Sequence, residues 1–399
     1  MNFTKINKRK PMRGDKHLKD RNKQIIYGMI GVVFTFAMTF LLVYKSADRF
    51  DYDNHLLLAK NLFNGENGSI VTYPAWHLLC WFCLMFFGES TSAALTTALL
   101  NVFAFIVIWA ILGRRFKYNL IVLLISCGMM ICGPLYVPMI NKEYFLGQLS
   151  TNIWHNPTHI AVKGIALLSA WLLYKCICEK PDNKYYVYLS IFTALSIFFK
   201  PSYAQVALPA VVILYFVMLL SGKMDWKSCI KNFFALLPTA IGILLQYMGI
   251  WGTETAVTDG GGIAIGLFQI WGKYSSHILG SILISLMFPM CVMLCYGKSY
   301  FSTEKNRFFM IMFGVAFLEY AMLYETGERM VAGNFGWGLQ LATFFLFFNS
   351  VYEMLRLRDN STKHGKAKFI TCASIFALHT LCGIWYYFYI VMNGSYRTR

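Results

Sequence analysis

The chain reads as an all-α, polytopic integral membrane protein, and three observations carry that reading. Of its 399 residues, 57% are hydrophobic and only 14% charged, where soluble domains average roughly 45–50% apolar and about 25% charged. Apolar runs of about twenty residues recur from end to end, each long enough for a ~30 Å hydrocarbon core. The basic residues fall in short clusters between those runs, as the positive-inside bias requires. No segment between runs is long enough to bury a soluble core. The sequence thus divides into a basic tail, residues 1–24, and one transmembrane domain, residues 25–399.

The same distribution excludes a nucleic-acid partner. The formal charge of +17 is spread over the clusters and forms no single basic face. Eleven cysteines lie within or beside the apolar runs. Buried cysteine behaves as a small hydrophobe, and the polar loops carry no disulfide or zinc spacing, so no metal-ligand set is assigned. The first run follows a long basic segment and precedes no small-residue cleavage site, which makes it a retained anchor and not a signal peptide.

Spans are expected near 25–44, 92–112, 118–139, 159–178, 185–199, 202–221, 232–250, 277–296, 308–324, 334–352 and 369–392. Of the 36 Lys and Arg residues, 26 cluster in 1–24, 114–117, 175–184, 223–231, 298–307 and 356–368. The stretch "YPAWHLLCWFCLMFFG" (73–88) decides whether these clusters share one side. Apolar stretches of about 10–14 residues are more often re-entrant or interfacial than spanning. Treated as an outer-face juxtamembrane or re-entrant helix, it leaves all six clusters cytoplasmic, with about 11 transmembrane helices, a cytoplasmic N-terminus and an outer C-terminus. Outer loops 45–91, 141–158 and 251–276 then form the candidate site.

In "YKSADRFDYDNH" (44–55), Asp48, Asp51 and His55 stand three and four apart and so share one helical face. Arg49 and Asp53 are spaced to pair with each other. A solvated juxtamembrane face is the plainer alternative. In "NKEYFLGQLSTNIWHNPTHIAVKG" (141–164), Asn156 before Pro157 reads as an N-cap with proline at the first helical position. A helix N-terminus attracts anions, and His155, His159 and Lys163 descend from it at four-residue steps as a basic stripe. Two histidines four apart are also a metal pattern, but no third ligand is visible. In "FFKPSYAQ" (198–205), Lys200-Pro201 makes a turn between two spans, where the lysine is either functional or a snorkelling anchor. Arg329 is a further outer cation. Glu319 is an intramembrane carboxylate and therefore a functional candidate. The glycines and Trp271 of "TDGGGIAIGLFQIWGK" (258–273) suggest a hinge followed by an interfacial segment.

Together these segments resemble the polytopic GT-C glycosyltransferases, specifically the bacterial, polyprenol-phosphate-sugar-dependent, mannosyltransferase-like branch. "FDYDNHLLLAKNLFNG" followed by "YPAWHLL" is similar to that family's aspartate loop and the proline-led helix after it. "LGQLSTNIWHNPTHIAVK" resembles its Gly-Gln…Asn segment, and "FFKPSYAQVALPA" its Lys-Pro segment. The resemblance covers roughly residues 25–215; the turn before Lys200 lacks the glycine expected there. It implies an inverting transfer of sugar from a polyprenyl-phosphate donor on the outer face of a bacterial plasma membrane, with membrane lipids as further partners. Asp51 would be general base or ligand to a divalent cation (Mg²⁺ or Mn²⁺), with Asp48 or Glu143 as second carboxylate. Lys200, Lys163, the amides near Asn156 and Arg329 would hold the phosphate. His55, Gln148, His155 and His159 would complete the substrate site. Two other readings stand beside it. A polysaccharide polymerase would need paired outer arginines. A transporter or lipid-linked glycan flippase would use Glu319 and Lys163 as mid-membrane charges, although no internal repeat is evident.

Overall fold

The structure, a computed structural model, describes residues 13–63, 72–251, 262–358 and 363–398. Its helices are α1 (Arg13–Ser46), α2 (Phe50–Lys60), α3 (Ala75–Leu84), α4 (Glu89–Phe116), α5 (Leu120–Met129), α6 (Pro157–Tyr174), α7 (Asn183–Phe199), α8 (Ser202–Leu220) and α9 (Trp226–Trp251). They continue with α10 (Ile278–Ser285), α11 (Met287–Tyr296), α12 (Glu304–Met322), α13 (Gly336–Arg358) and α14 (Lys363–Asn393). The chain is an all-α membrane protein. Among the described residues seven helices (in α1, α4, α6, α8, α9, α13 and α14) are long and apolar enough to cross a bilayer.

The other four expected spans take different forms, so helix length does not establish the count of eleven. Residues 277–296 break into α10 and α11, bent by 64°. α7 has 17 residues and α12 has 19, the latter carrying Glu304, Lys305, Arg307 and Glu319. The stretch 118–139 forms only the ten-residue α5, capped by the Asn119 side chain on Val122 N. Its continuation is non-helical, with residues 130–134 buried. Gly133 N donates to His379 O in the middle of α14, and the His379 ring returns a bond to Gly133 O. Asn152 Nδ2 donates to Met129 O and Cys132 O. Irregular backbone at membrane depth is tolerated when its polar groups find partners inside the protein. Gly383 permits the approach, because a Cβ there would stand 1.9 Å from the Ile131 carbonyl oxygen.

α1 and α4 run antiparallel. Asn101 Nδ2 donates to Thr39 Oγ1, Gly31 faces Phe105, and Gly28 faces Trp109. The chain between them therefore leaves and re-enters the bundle at the same end, and 73–88 is the short α3 lying there. At ~1.5 Å per residue its ten residues span ~15 Å, half a hydrocarbon core.

Helix ends sort by polarity. The described basic clusters lie at the end of the bundle that holds the last turns of α4 and α13 and the first turns of α7, α12 and α14. There Glu353 bonds Lys305 at 2.8 Å and Arg356 at 2.9 Å, pinning α12 to α13. At the opposite end, strand β1 (Ile263–Ile265) pairs antiparallel with β2 (Leu323–Glu325), Ala264 facing Tyr324. This ribbon stands where the sequence suggested an interfacial segment. Ile263 and Ile265 of the ribbon are exposed, whereas Trp271 is fully buried in protein, its indole donating to Gly147 O at 2.9 Å. Of the expected glycine hinge at 260–262, the first two positions lie outside the described residues.

The close pass at Gly383 is testable by thermal unfolding in detergent. Gly383→Ala should lower the midpoint by several degrees, since overpacking costs about 1–3 kcal/mol. Gly314→Ala, where nothing lies within 4 Å of the added carbon, should be neutral or stabilising, as alanine favours a helix by ~1 kcal/mol. Equal midpoints for the two variants would contradict the packing described.

Candidate functional site

The N-terminus of α6 organises the site. The Asn156 side chain caps the helix, its Oδ1 accepting from His159 N at 2.8 Å, and Pro157 takes the first helical position as expected. The same oxygen accepts from Thr158 Oγ1 at 2.9 Å and from Lys200 Nζ at 3.0 Å. The other arm of the amide, Nδ2, donates to Asp51 Oδ2 at 2.7 Å. One asparagine thus joins α2, α6 and the turn between α7 and α8. Pro201 follows Lys200 at the start of α8, where the helix is interrupted and Lys200 takes an extended backbone.

Around this hub lies a cavity of about 490 Å³ lined by Asp51, Gln148, His155, Asn156 and Lys200. Five residues named from sequence, drawn from three separate segments, converge on it. Trp337, at the start of α13, forms another wall, with Lys200 Nζ 4.0 Å from its ring centroid. Such a contact is worth up to ~2 kcal/mol when desolvated. The rest of the wall includes Tyr73, Tyr274, Asn334, Tyr396 and Arg397. Tyr396 stacks on His155 with centroids 4.5 Å apart.

Several expected residues sit elsewhere. Asp48 is not on the face of Asp51 and His55, because α2 starts only at Phe50, whose φ of 59° turns the chain first. It lies exposed in that turn and pairs with Arg49 at 3.5 Å, so the expected Arg49–Asp53 pair is replaced. Glu143 is buried and engaged by the chain's last residues, accepting from Thr398 N at 3.2 Å, and it does not line the cavity. Lys163 is buried behind the site, donating to Asn152 Oδ1 at 2.7 Å. His159 also lies behind it, 5.4 Å from the Trp337 ring. His55 turns to His77, Nδ1 to Nε2 at 2.9 Å. The helix-terminus amide expected to hold an anion, that of His159, is already taken by Asn156. Arg329 belongs to a 3₁₀ turn (Gly327–Ala332), and its side chain lies outside what the structure describes.

Burial sets the charges. It pushes the His155 imidazole down to about 4, with Asp51 acting in the opposite sense and Lys200 in the same one. It lowers His55 to about 2, aided by His77 and Lys200. Both rings are neutral at physiological pH, so the basic stripe expected from sequence reduces at the cavity wall to Lys200, with Arg397 lining the same cavity. Lys200 itself is brought down to about 7 by burial, Asp51 opposing. Of its three N–H groups, two are used by Asn156 and Thr158. A divalent cation of the Mg²⁺ type is octahedral, keeps several waters and is held through one or two carboxylates together with substrate phosphates. Asp51 is the one carboxylate named on this wall among the described residues, and one oxygen of it is engaged by Asn156. That wall offers such an ion one free carboxylate oxygen and leaves the rest of its shell to water and substrate phosphate.

A second cavity of about 450 Å³ adjoins the first and shares Tyr73, Lys200, Asn334 and Trp337 with it. It runs along α8 and α9 past Leu208, Pro209, Ile243 and Tyr247, and its wall is mostly apolar. Lys200 therefore stands where a polar chamber meets an apolar groove.

A lysine is charged below its pKa, so anion binding at this chamber should fade as pH rises through about 7. We expect sulfate affinity to fall by as much as about tenfold per pH unit between about pH 7 and 9. Lys200→Arg should flatten the profile, because a guanidinium stays charged throughout. A pH-independent affinity in the unaltered protein would contradict this assignment.

Compared with known proteins, the chain matches no family model and no curated sequence, so the chemistry of the two cavities is what bears on function.

Proposed function

We propose that the protein is a membrane glycosyltransferase, similar to the GT-C enzymes, that moves a sugar from a polyprenyl-phosphate donor to an acceptor hydroxyl with inversion. The single observation that carries this reading is the position of Lys200. An amphiphile with an anionic head and a long apolar tail fits a lysine at the mouth between a polar chamber and an apolar groove. The tail lies along α8 and α9, the phosphate rests on Lys200, and the sugar faces Asp51.

Asp51 acts as general base. Asn156 fixes its carboxylate by one oxygen and leaves the other for the acceptor hydroxyl. As the base removes the proton, the acceptor oxygen attacks the sugar carbon, and the bond to the donor phosphate breaks. The phosphate departs with the added negative charge, which Lys200 stabilises inside a partly water-excluded site. Arg397 is placed to share that charge. No resident divalent cation enters this scheme. The basic clusters at the far end of the bundle support a cytoplasmic position for that end under the positive-inside rule. The chamber then opens on the outer face, in keeping with a bacterial plasma-membrane enzyme.

One observation favours a second reading. Gln205, which lines the apolar groove, hydrogen-bonds the intramembrane Glu319. A flippase for lipid-linked glycans would need such a polar step within the membrane.

Asp51→Asn keeps the shape but removes the base. In a transfer assay with purified protein in lipid, it should lose at least ~10²-fold in rate while still binding donor lipid. Asp53→Asn should change little, since that side chain is exposed on α2. Lys200→Met should instead weaken donor-lipid binding several-fold. Full transfer by Asp51→Asn would remove the enzyme reading. Vectorial movement of a fluorescent lipid-linked glycan without sugar transfer would favour the flippase.

A further inference from the structure

We propose that Cys291, Cys295 and Cys372 form a binding site for a soft metal ion, specifically monovalent copper held by three thiolates. The site is independent of the cavity. Cys372 stands 21 residues before the end of α14, which puts it ~31 Å from the chamber.

The geometry is that of a ligand set. Cys291 and Cys295 are one turn apart on α11, and both point to Cys372 on α14. The sulfur of Cys372 lies 3.8 Å from that of Cys291 and 3.6 Å from that of Cys295. All three sulfurs lie within 4.8 Å of one another. A metal–sulfur bond of ~2.3 Å places ligand sulfurs ~4.0 Å apart in a trigonal plane and ~3.8 Å apart in a tetrahedron. Only small side-chain rotations separate the observed cluster from either arrangement.

The kind of metal follows from the donors. No histidine or carboxylate joins the trio among the described residues. Zinc in structural sites takes four protein ligands, whereas three thiolates and no harder ligand suit monovalent copper. Cys291 and Cys295 are half-buried, which leaves a path for the ion, and Cys372 is fully buried. Binding releases the thiol protons and leaves net negative charge. Lys368, one turn before Cys372 on α14, places an ammonium beside it, its Nζ reaching Cys295 O at 2.5 Å.

The test uses the full chain, purified in detergent under a reductant. Monovalent copper is titrated in competition with a chromophoric copper chelator, and X-ray absorption of the loaded protein is recorded. One tight equivalent is expected, with three sulfur neighbours at ~2.3 Å. Cys295→Ser, at a half-buried position, should weaken that equivalent by about tenfold or more, and Cys372→Ala should do the same. Cys229→Ser, on α9 away from the trio, should leave it unchanged; thermal unfolding of each variant confirms that it is folded. No stoichiometric copper, a sulfur count other than three, equal affinity in the Cys295 variant, or zinc binding more tightly than copper at the trio would each overturn the proposal.

Discussion

The cavity depends on one side-chain amide. Asn156 satisfies the first turn of α6, accepts from a buried ammonium and donates to a carboxylate, all from a group with no net charge. An amide is suited to this because its two ends differ: the oxygen takes several donors while the nitrogen serves Asp51. A carboxylate in its place would repel Asp51, and an apolar residue would leave Lys200 buried without its main acceptor. An unsatisfied buried charge costs several kcal/mol, far more than the ~1 kcal/mol of a lost helix cap. Asp51 and Lys200 are therefore held as a pair whose separation is fixed by Asn156 between them.

That arrangement keeps opposite charges close without collapsing them into a direct ion pair. A direct contact would neutralise both groups and fill the chamber. With the amide interposed, each keeps a free edge toward the cavity, in surroundings where low effective dielectric strengthens its action on a ligand. The aromatic walls supplied by Trp337 and Tyr396 exclude water without competing for hydrogen bonds. The chain's last described residues close one side, anchored by Tyr386 and Tyr389, whose hydroxyls donate to Tyr396 O and Arg397 O.

Much of this could be read along the chain because it is encoded locally. The Asn156-Pro157 cap follows from backbone chemistry over two residues, and Lys200-Pro201 from the helix-breaking action of proline. Asp51 and His55 share a face by helical spacing alone. What failed to show depends on contacts distant in sequence or on a single dihedral. Asp48 drops out because Phe50 adopts a left-handed turn that no periodicity reveals. The spacing of Lys163 from Asn156 points it at a ligand, but the irregular 150–155 segment offers it Asn152 first. Tyr396 and Arg397 lie more than 190 residues beyond Lys200 and enter the wall only through the docking of α14. The cysteine trio is invisible for the same reason, since Cys295 and Cys372 are 77 residues apart. Hydropathy also reads an unbroken run across 118–139, where the structure has α5 handing over to irregular, partly buried chain.

The central claim is that the two adjoining cavities form one site for an anionic lipid, with its head on Lys200. The most direct measurement is a structure of the protein in lipid nanodiscs with a polyprenyl phosphate bound. The account predicts phosphate oxygens within hydrogen-bond distance of Lys200 Nζ, and an isoprenoid chain lying between α8 and α9 past Leu208 and Ile243. A lipid bound elsewhere, with ordered water filling both cavities, would contradict it.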